Sequence, residues 1–234
     1  MIRRIWKDIS RFWEVDRGLT VFLVLLVAGT FVVPVVAGER PGMRFAGDVV
    51  FSLLLVTGAW ALARKRSTAV LVSMVATVAL GVRWTARLVP SLDLAVWNTA
   101  LSLVTEALLA AMVLKRVFQR GRINRQRIEG AVAAYVLIGV IWANAYELVA
   151  LSLPGAFAGT RAAGATLHDF LFFSFVTLTT VGYGDITPLA PLARSLANVE
   201  ALIGQLYPAI LLARLVSLEA TWSFRDGPGG GDPS

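Results

Sequence analysis

Six stretches of the sequence are long and almost free of charged side chains, and they constrain the fold more than any other feature. They are Leu19–Ala37, Ala46–Ala63, Thr68–Val82 (or on to Val89), Leu94–Leu114, Ala131–Leu153 and Leu189–Leu215. A helix needs about 20 apolar residues to cross ~30 Å of hydrocarbon. The chain is 57% hydrophobic and 16% charged, whereas soluble domains average about 45–50% and about 25%. We therefore predict an all-α membrane protein with six transmembrane helices.

A shorter apolar segment lies between the fifth and sixth stretches. His168–Leu178 is too short to span a membrane, and a polar loop containing glycine follows it at Thr179–Asp185. This combination predicts a re-entrant hairpin, in which a short helix enters the membrane and a loop leads back out. Gly182 and Gly184 stand at alternate positions of the loop. Because glycine accepts φ angles that other residues resist, successive carbonyl groups can point to one side there.

Residues 180–184 read Thr-Val-Gly-Tyr-Gly, the pentapeptide of the potassium selectivity filter. With the helices on either side, residues 131–215 resemble the pore of the potassium channel family, which consists of an outer helix, a pore helix, the filter and an inner helix. The whole chain resembles a six-transmembrane-helix bacterial-type potassium channel with a degenerate, charge-poor voltage-sensor-like domain.

This resemblance implies that the filter binds potassium ions stripped of their water. The ligands would be four backbone carbonyl groups and the hydroxyl of the first residue, at Thr180, Val181, Gly182 and Tyr183. Gly184 and Asp185 would complete the filter and its outer mouth. The C-terminal end of the pore helix carries partial negative charge and would favour a cation nearby. Since one filter strand cannot surround an ion, a symmetric homotetramer is implied as well.

Two departures from the family pattern concern the support of the filter. Two-helix bacterial channels often have a glutamate at the position of Val176, which bonds the aspartate equivalent to Asp185. The family often has a tryptophan pair at the positions of Phe172 and Phe173, and one member of the pair donates to the same aspartate. Valine and phenylalanine have no polar hydrogen to donate. We therefore expect a filter that rearranges, seen as current decay during sustained opening, with a rate that Phe173→Trp changes. The filter-support residues on this interpretation are Phe172, Phe173, Val176, Thr177, Thr179 and Asp185.

The predicted inner helix contains Gly204 and, four residues later, Pro208. Proline removes the hydrogen bond to the carbonyl of residue 204, and glycine loosens the same turn. The resemblance marks Gly204 as a gating hinge. A bend that sets the width of the inner mouth and a packing kink without motion both remain open. Glu200, one turn earlier, is costly at membrane depth unless it is paired or faces water. It either accepts from a pore-helix hydroxyl such as that of Thr177 or stays protonated.

The first four predicted helices, residues 18–114, resemble a voltage-sensor domain in number but not in charge. A working sensor carries arginines at every third position of its fourth helix, and Leu94–Leu114 contains no Arg or Lys. The charged residue there is Glu106, which either pairs with an arginine from another segment or senses protons. The second helix has only Asp48 and the third has no acid. We predict weak or absent voltage dependence.

The basic residues predict the orientation in the membrane. With the N-terminus inside, sixteen of the 22 Lys and Arg residues fall in cytoplasmic segments and six outside, which agrees with the positive-inside rule. Both termini are then cytoplasmic and the filter loop faces outward, as expected for a bacterial inner membrane. The remaining divisions are an amphipathic interfacial helix (1–17), a basic cytoplasmic linker suited to anionic lipid (115–130), the pore domain (131–216) and a disordered cytoplasmic tail (217–234).

Several other classes of protein fit the sequence poorly. The chain has no cysteine and a single histidine, His168, so thiol catalysis and the usual multi-histidine metal cluster are excluded. We predict no enzyme activity, no cofactor other than permeant potassium, and no nucleic-acid partner, because the basic residues flank apolar spans. A potassium transporter subunit and a non-conducting regulatory subunit remain as alternatives to a conducting channel. Transporters of this kind fuse four divergent copies of the hairpin, whereas this chain has one.

Overall fold

The structure is a computed structural model that describes residues 18–37, 41–62, 66–89, 91–119, 125–159 and 164–225. The predicted interfacial helix at residues 1–17 lies outside these ranges, as do the centre of the basic linker (residues 120–124) and the end of the predicted tail (residues 226–234).

The N-terminal half is a series of helices that follow the predicted apolar stretches. Helix α1 (Gly18–Val27) continues through a π-helical segment (Ala28–Val32) into α2 (Val33–Ala37). Helices α3 (Pro41–Leu62), α4 (Arg66–Leu88) and α5 (Ala95–Val117) come next. Helices α3, α4 and α5 have 22, 23 and 23 residues, and α1, the π-helical segment and α2 together run without a break from Gly18 to Ala37. The ends lie within a few residues of the predicted ends.

The C-terminal half contains the outer helix α6 (Arg125–Ser152), the pore helix α7 (Leu167–Leu178) and the inner helix α8 (Pro191–Arg225). Two short strands, β1 (Phe157–Ala158) and β2 (Thr187–Pro188), pair in antiparallel fashion. In the sequence, β1 precedes the pore helix and β2 follows the filter loop. This pairing brings the chain before the pore helix against the chain after the filter. The segment between the outer and pore helices is therefore partly built into the fold, with Phe157 buried.

Two of the described helices are long and apolar enough to cross a membrane, Arg125–Ser152 and Pro191–Arg214. Three others are apolar but shorter over their apolar part: Gly18–Val32, Gly47–Gly58 and Leu167–Leu178. The short length of the last agrees with a helix that enters the membrane without crossing it. Six spans therefore remain a prediction, while a mostly helical protein with membrane-length helices is observed.

Two domain boundaries differ from the predictions. The inner helix continues to Arg225, so residues 217–225 are helical and the prediction of a disordered tail is wrong for them. The physical reason is that no glycine or proline interrupts this stretch before Gly227. In the predicted linker, α5 extends to Val117 and α6 begins at Arg125, so both ends of that linker belong to the helices that it joins.

The apolar core has two parts that meet along the outer helix. The first contains Phe22, Leu55, Leu109 and Leu137 and joins the N-terminal helices to the first half of α6. The second contains Tyr146, Phe157, Phe170 and Phe173 and joins the second half of α6 to the pore helix. The outer helix thus positions the pore helix on one side and the N-terminal helices on the other, and its contact with α5 is the most extensive between any two elements.

Candidate ion pathway

The pore helix begins at a capping box. The backbone N–H and hydroxyl of Thr166 both donate to the Asp169 carboxylate, at 2.9 and 2.8 Å, and this arrangement stabilises a helix N-terminus. The helix then buries Phe170, Phe173 and Ser174 against the outer helix. It ends at Leu178, where Thr179 caps it by donating through its N–H (3.0 Å) and hydroxyl (2.6 Å) to the Phe175 carbonyl.

The first amide groups of the filter fold back onto the end of the pore helix. Thr180 N–H donates to the Thr177 carbonyl at 2.9 Å, and the N–H groups of Val181 and Gly182 donate to the Val176 carbonyl at 2.9 and 3.3 Å. The last carbonyls of a helix have no partner within the helix itself. Here the filter supplies those partners, so the filter backbone is fixed to the pore helix on one side.

The filter backbone alternates between two conformations. Thr180, Gly182 and Gly184 have φ angles of 61°, 61° and 80°, in the left-handed region, while Val181 and Tyr183 between them do not. Glycine adopts this region freely, but a residue with a Cβ pays about 1–2 kcal/mol. Thr180 is the one non-glycine residue with positive φ among those that the structure describes. Strain of this kind is typical of functional backbone, and the threonine side chain is retained there despite the cost.

The segment after the filter is held through its backbone. Gly159, with φ 129°, lies so close to the Asp185 carbonyl that a Cβ would sit 2.0 Å from the oxygen. The β1–β2 pairing continues this contact. The Asp185 carboxylate accepts a 3.2 Å hydrogen bond from the next residue's N–H, that of Ile186. Gly159 was not among the predicted filter-support residues, which were selected for side chains that could hold Asp185. An isolated glycine between the outer and pore helices was the available signal in the sequence.

The two phenylalanines of the predicted support have different surroundings. Phe172 stacks on the filter residue Tyr183, with ring centroids 5.9 Å apart and planes 3° from parallel. Phe173 points away into the second core cluster, where its ring meets that of Tyr146 at 4.9 Å. Val176 is buried and contributes its carbonyl to the filter amides. Phe172 is therefore the member of the pair that contacts the filter.

The inner helix packs against the end of the pore helix through Gly204. A Cβ on this residue would lie 1.8 Å from the Leu178 carbonyl oxygen, so the two backbones are in direct contact. Pro208 lies inside the helix, which continues past it. Gln205, next to the glycine, donates its side-chain N–H to the Thr180 hydroxyl at 3.3 Å. Gln205 did not figure in the sequence analysis, although its position beside Gly204 could have pointed to it.

Glu200 is fully buried between the outer, pore and inner helices. Its carboxyl group contacts the Tyr146 hydroxyl at 2.5 Å and the Ser174 hydroxyl at 2.6 Å. The pore-helix hydroxyl at Glu200 is thus that of Ser174, one turn before the predicted Thr177. Ser174 and Tyr146 were both missed, because neither residue type is unusual in an apolar helix.

The other intramembrane acid, Glu106, joins α5 to the outer helix. Its carboxyl group accepts from the Asn144 amide at 2.9 Å. Pairing with an arginine and proton sensing both remain predictions for this residue. Close by, Glu147 of the outer helix accepts from the Thr99 hydroxyl at 2.9 Å. These two polar contacts connect the N-terminal helices to the outer helix of the same chain.

The arginines of α4 form ion pairs with α3. Arg83 and Arg87 contact the two carboxylate oxygens of Asp48 at 2.7 and 2.9 Å. The guanidinium of Arg83 also lies over the Phe51 ring, 4.3 Å from its centroid. The single carboxylate of Asp48 on α3 thus pairs with both arginines of α4.

The chain matches a protein-family model described as "Ion channel" over residues 132–220. The match runs from the outer helix through the filter into the inner helix and therefore covers the geometry described above. This part of the chain is therefore an ion-channel domain.

Three curated proteins are similar to this region. Protein LctB of Geobacillus stearothermophilus is 39% identical over 77 residues, which are 33% of this chain and 54% of that protein. Two pore potassium channel c of Oryza sativa subsp. japonica is 39% identical over 84 residues, 36% of this chain and 17% of that protein. Inward rectifier potassium channel Kirbac3.1 of Paramagnetospirillum magnetotacticum is 34% identical over 80 residues, 32% of this chain and 24% of that protein.

The pore region, residues 132–220, is therefore similar in sequence to ion channels, including relatives that are named potassium channels. The chain spans about half the length of the first relative and less of the other two. No solved structure gives a significant match. The ion-channel match, together with the two helices of membrane-spanning length and composition, agrees with the membrane protein that the composition predicted.

Proposed function

We propose that the chain forms a potassium-selective channel, in which dehydrated potassium passes along the carbonyl groups of Thr180, Val181, Gly182 and Tyr183. The observation that carries this proposal is the filter backbone, with positive φ at 180, 182 and 184 and amide groups bonded to the pore helix. With the first amides turned toward the pore helix, the carbonyl groups are available to an ion on the opposite side. The Thr180 hydroxyl adds a further oxygen at the inner end.

The proposed channel is a homotetramer. Val181 and Tyr183 are 54% and 72% exposed in the single chain, and unpaired polar backbone is not tolerated against lipid. The apolar part of the inner helix is likewise exposed in the single chain: 11% of it is buried, compared with 50% for the outer helix. Symmetric copies around the filter would cover both surfaces and surround the ion. Chemical cross-linking of the purified protein in detergent is expected to give a ladder that ends at four subunits.

Potassium flux from proteoliposomes tests conduction. The wild-type protein is expected to release potassium and to release sodium much more slowly. Gly182→Ala is expected to lose selective flux because alanine resists the φ of 61° at that residue. Gly155→Ala is the matched control, since Gly155 also has positive φ (81°) and open space around its Cβ position but lies outside the filter. Absence of selective flux from wild-type protein would contradict the proposal and favour a non-conducting subunit.

We further propose six spans, with both termini cytoplasmic and the filter facing outward, and weak or absent voltage dependence. The support for the last point is that α5 has no basic residue before Lys115, and that Arg83 and Arg87 are already paired with Asp48. A conductance–voltage curve from planar bilayers is expected to be shallow. A steep curve that requires several gating charges would refute this part of the proposal.

The basic ends of α5 and α6 are proposed to contact anionic lipid. Lys115 and Arg116 lie in the last turn of α5, and the Arg125 side chain, paired with Glu129, is 86% exposed at the start of α6. Such a cluster at the membrane surface attracts anionic headgroups. Flux is expected to differ between vesicles with and without phosphatidylglycerol, and equal flux in both would contradict a functional role for the lipid.

A further inference from the structure

The contacts of Glu200 contain more information than its burial. The carboxyl group meets the Tyr146 hydroxyl of the outer helix and the Ser174 hydroxyl of the pore helix, at 2.5 and 2.6 Å. The same Ser174 hydroxyl also lies 2.7 Å from the Gly139 carbonyl oxygen of the outer helix. Four groups on three helices are therefore linked in one chain of short oxygen–oxygen contacts.

These contacts can be tested by counting protons. A serine hydroxyl has one proton, and a backbone carbonyl has none. If Glu200 were a carboxylate, the single proton of Ser174 would face two acceptors, and one of the two short contacts would contain no hydrogen. If Glu200 carries a proton on Oε1, each contact has a donor. Tyr146 then donates to Glu200, Glu200 donates to Ser174, and Ser174 donates to Gly139.

The ion pairs described above, of Asp48 with Arg83 and Arg87 and of Glu129 with Arg125, do not include Glu200. Its described contacts are the hydroxyl groups of Tyr146 and Ser174. The titratable side chain in contact with it is that of Tyr146, which acts as a donor while protonated. An isolated carboxylate in such a place is very costly, whereas a fully hydrogen-bonded neutral acid is tolerated.

We propose that Glu200 is held as a neutral carboxylic acid and that it is a positioning residue for the filter. The second part, its effect on conduction, rests on the proposed function. Its proton completes the chain of hydrogen bonds that ties the inner helix, through Ser174, to the outer helix. Ser174 lies two residues before Val176, whose carbonyl receives the filter amides of Val181 and Gly182. The pore helix is thereby held at Ser174 by the outer and inner helices. One turn later, at Leu178, its end contacts Gly204 of the inner helix.

Infrared spectroscopy tests the proton independently of conduction. The difference between spectra of wild-type protein and Glu200→Gln at neutral pH is expected to contain the carbonyl band of one protonated carboxylic acid. The buried acid Glu106 is present in both proteins and cancels. A difference spectrum with carboxylate bands instead would overturn the assignment of the proton, whether or not the protein conducts potassium.

Three variants test the positioning role. Glu200→Gln keeps a donor toward Ser174 and an acceptor toward Tyr146, and is expected to leave current decay within about twofold of wild type. Glu200→Leu has a similar size but leaves buried hydroxyl groups unpaired, and is expected to accelerate decay about tenfold. Glu106→Gln is the matched control, because it also alters a buried acid of the membrane region but contacts Asn144 instead of the pore helix.

The outcomes separate the two ideas. If the current of Glu200→Gln decays as fast as that of Glu200→Leu, the assignment of Glu200 as a neutral acid is overturned. Unchanged decay in an assembled Glu200→Leu protein would overturn the positioning role. If wild-type protein does not conduct, the proposed function fails, while the infrared result still decides the state of Glu200.

Discussion

Replacement of Gly204 by alanine tests how the inner helix meets the pore helix. A Cβ at this position would lie 1.8 Å from the Leu178 carbonyl oxygen and 2.8 Å from its carbon. Such contacts essentially do not occur below 3.0 Å, so the backbones would have to separate by the difference between 1.8 and 3.0 Å, about 1.2 Å. Because the obstructing atoms belong to the backbone, no side chain can rotate to make room.

The size of the effect follows from two opposing terms. Forcing extra volume into a packed contact costs about 1–3 kcal/mol, and alanine gains at most ~1 kcal/mol over glycine in a helix interior. We expect Gly204→Ala to lose roughly 1–2 kcal/mol per subunit and to displace Leu178, from which the filter begins. Thermal unfolding of the purified protein measures the first effect, and potassium flux measures the second.

Gly81→Ala is the matched control for this experiment. Gly81 also lies inside a helix, α4, but nothing is found within 4 Å of its Cβ position, so alanine there is expected to be neutral or slightly stabilising. If Gly204→Ala unfolds at the wild-type temperature, the close contact is refuted. If the Gly204→Ala protein is as stable as wild type but conducts poorly, the result favours a gating hinge at Gly204 over a packing kink without motion.

Three further predictions concern contacts away from the inner helix. Gly159→Ala is expected to accelerate current decay, because the residue has a φ of 129° and a Cβ there would lie 2.0 Å from the Asp185 carbonyl oxygen. Gly164→Ala is the control: this residue also has positive φ, but its Cβ position is in open space, so the decay rate should not change. Asp48→Asn is expected to lower stability by about 1–3 kcal/mol in thermal unfolding by leaving two partly buried arginines without their anion, whereas the exposed Asp93→Asn should not. Arg214→Gln is expected to change open probability in single-channel recordings, because Arg214 of the inner helix donates to the Phe118 carbonyl at the end of α5. An open probability equal to that of the wild-type protein would contradict a role for Arg214.

The order of elements was predictable from the sequence because it depends on local properties. Runs of apolar residues determined where helices could lie, and the pore helix differs from its predicted start by one residue, at Leu167. The positions of the filter glycines were evident for the same reason, since backbone freedom is a property of single residues. The positive φ of Thr180 was not evident, because a threonine adopts it only when surrounding contacts impose it.

The partners of the buried polar groups could not be predicted. Tyr146 and Glu200 are 54 positions apart, and Arg83 and Asp48 are 35 apart. Helical periodicity places a residue on one face of a helix but does not specify which face of another helix it meets. The strands β1 and β2 have two residues each, too few for any alternation to be recognised. Gly204 illustrates the remaining ambiguity, because a glycine is equally compatible with a hinge and with a close backbone contact until its neighbour is known.

The predicted weakness of the outer mouth can now be tested at the residue that contacts the filter. Phe172 is 44% exposed and stacks on Tyr183, so a tryptophan there would add an N–H donor next to the filter. Phe173 is only 6% exposed, packed on Tyr146, and Phe173→Trp is expected to cost about 1–3 kcal/mol through overpacking. We therefore expect Phe172→Trp to slow current decay during sustained opening, and Phe173→Trp to change the rate mainly by lowering stability. An assembled Phe172→Trp channel that decays at the wild-type rate would mean that a missing donor is not the cause of the decay, and the backbone contact of Gly159 would then be the main support of Asp185.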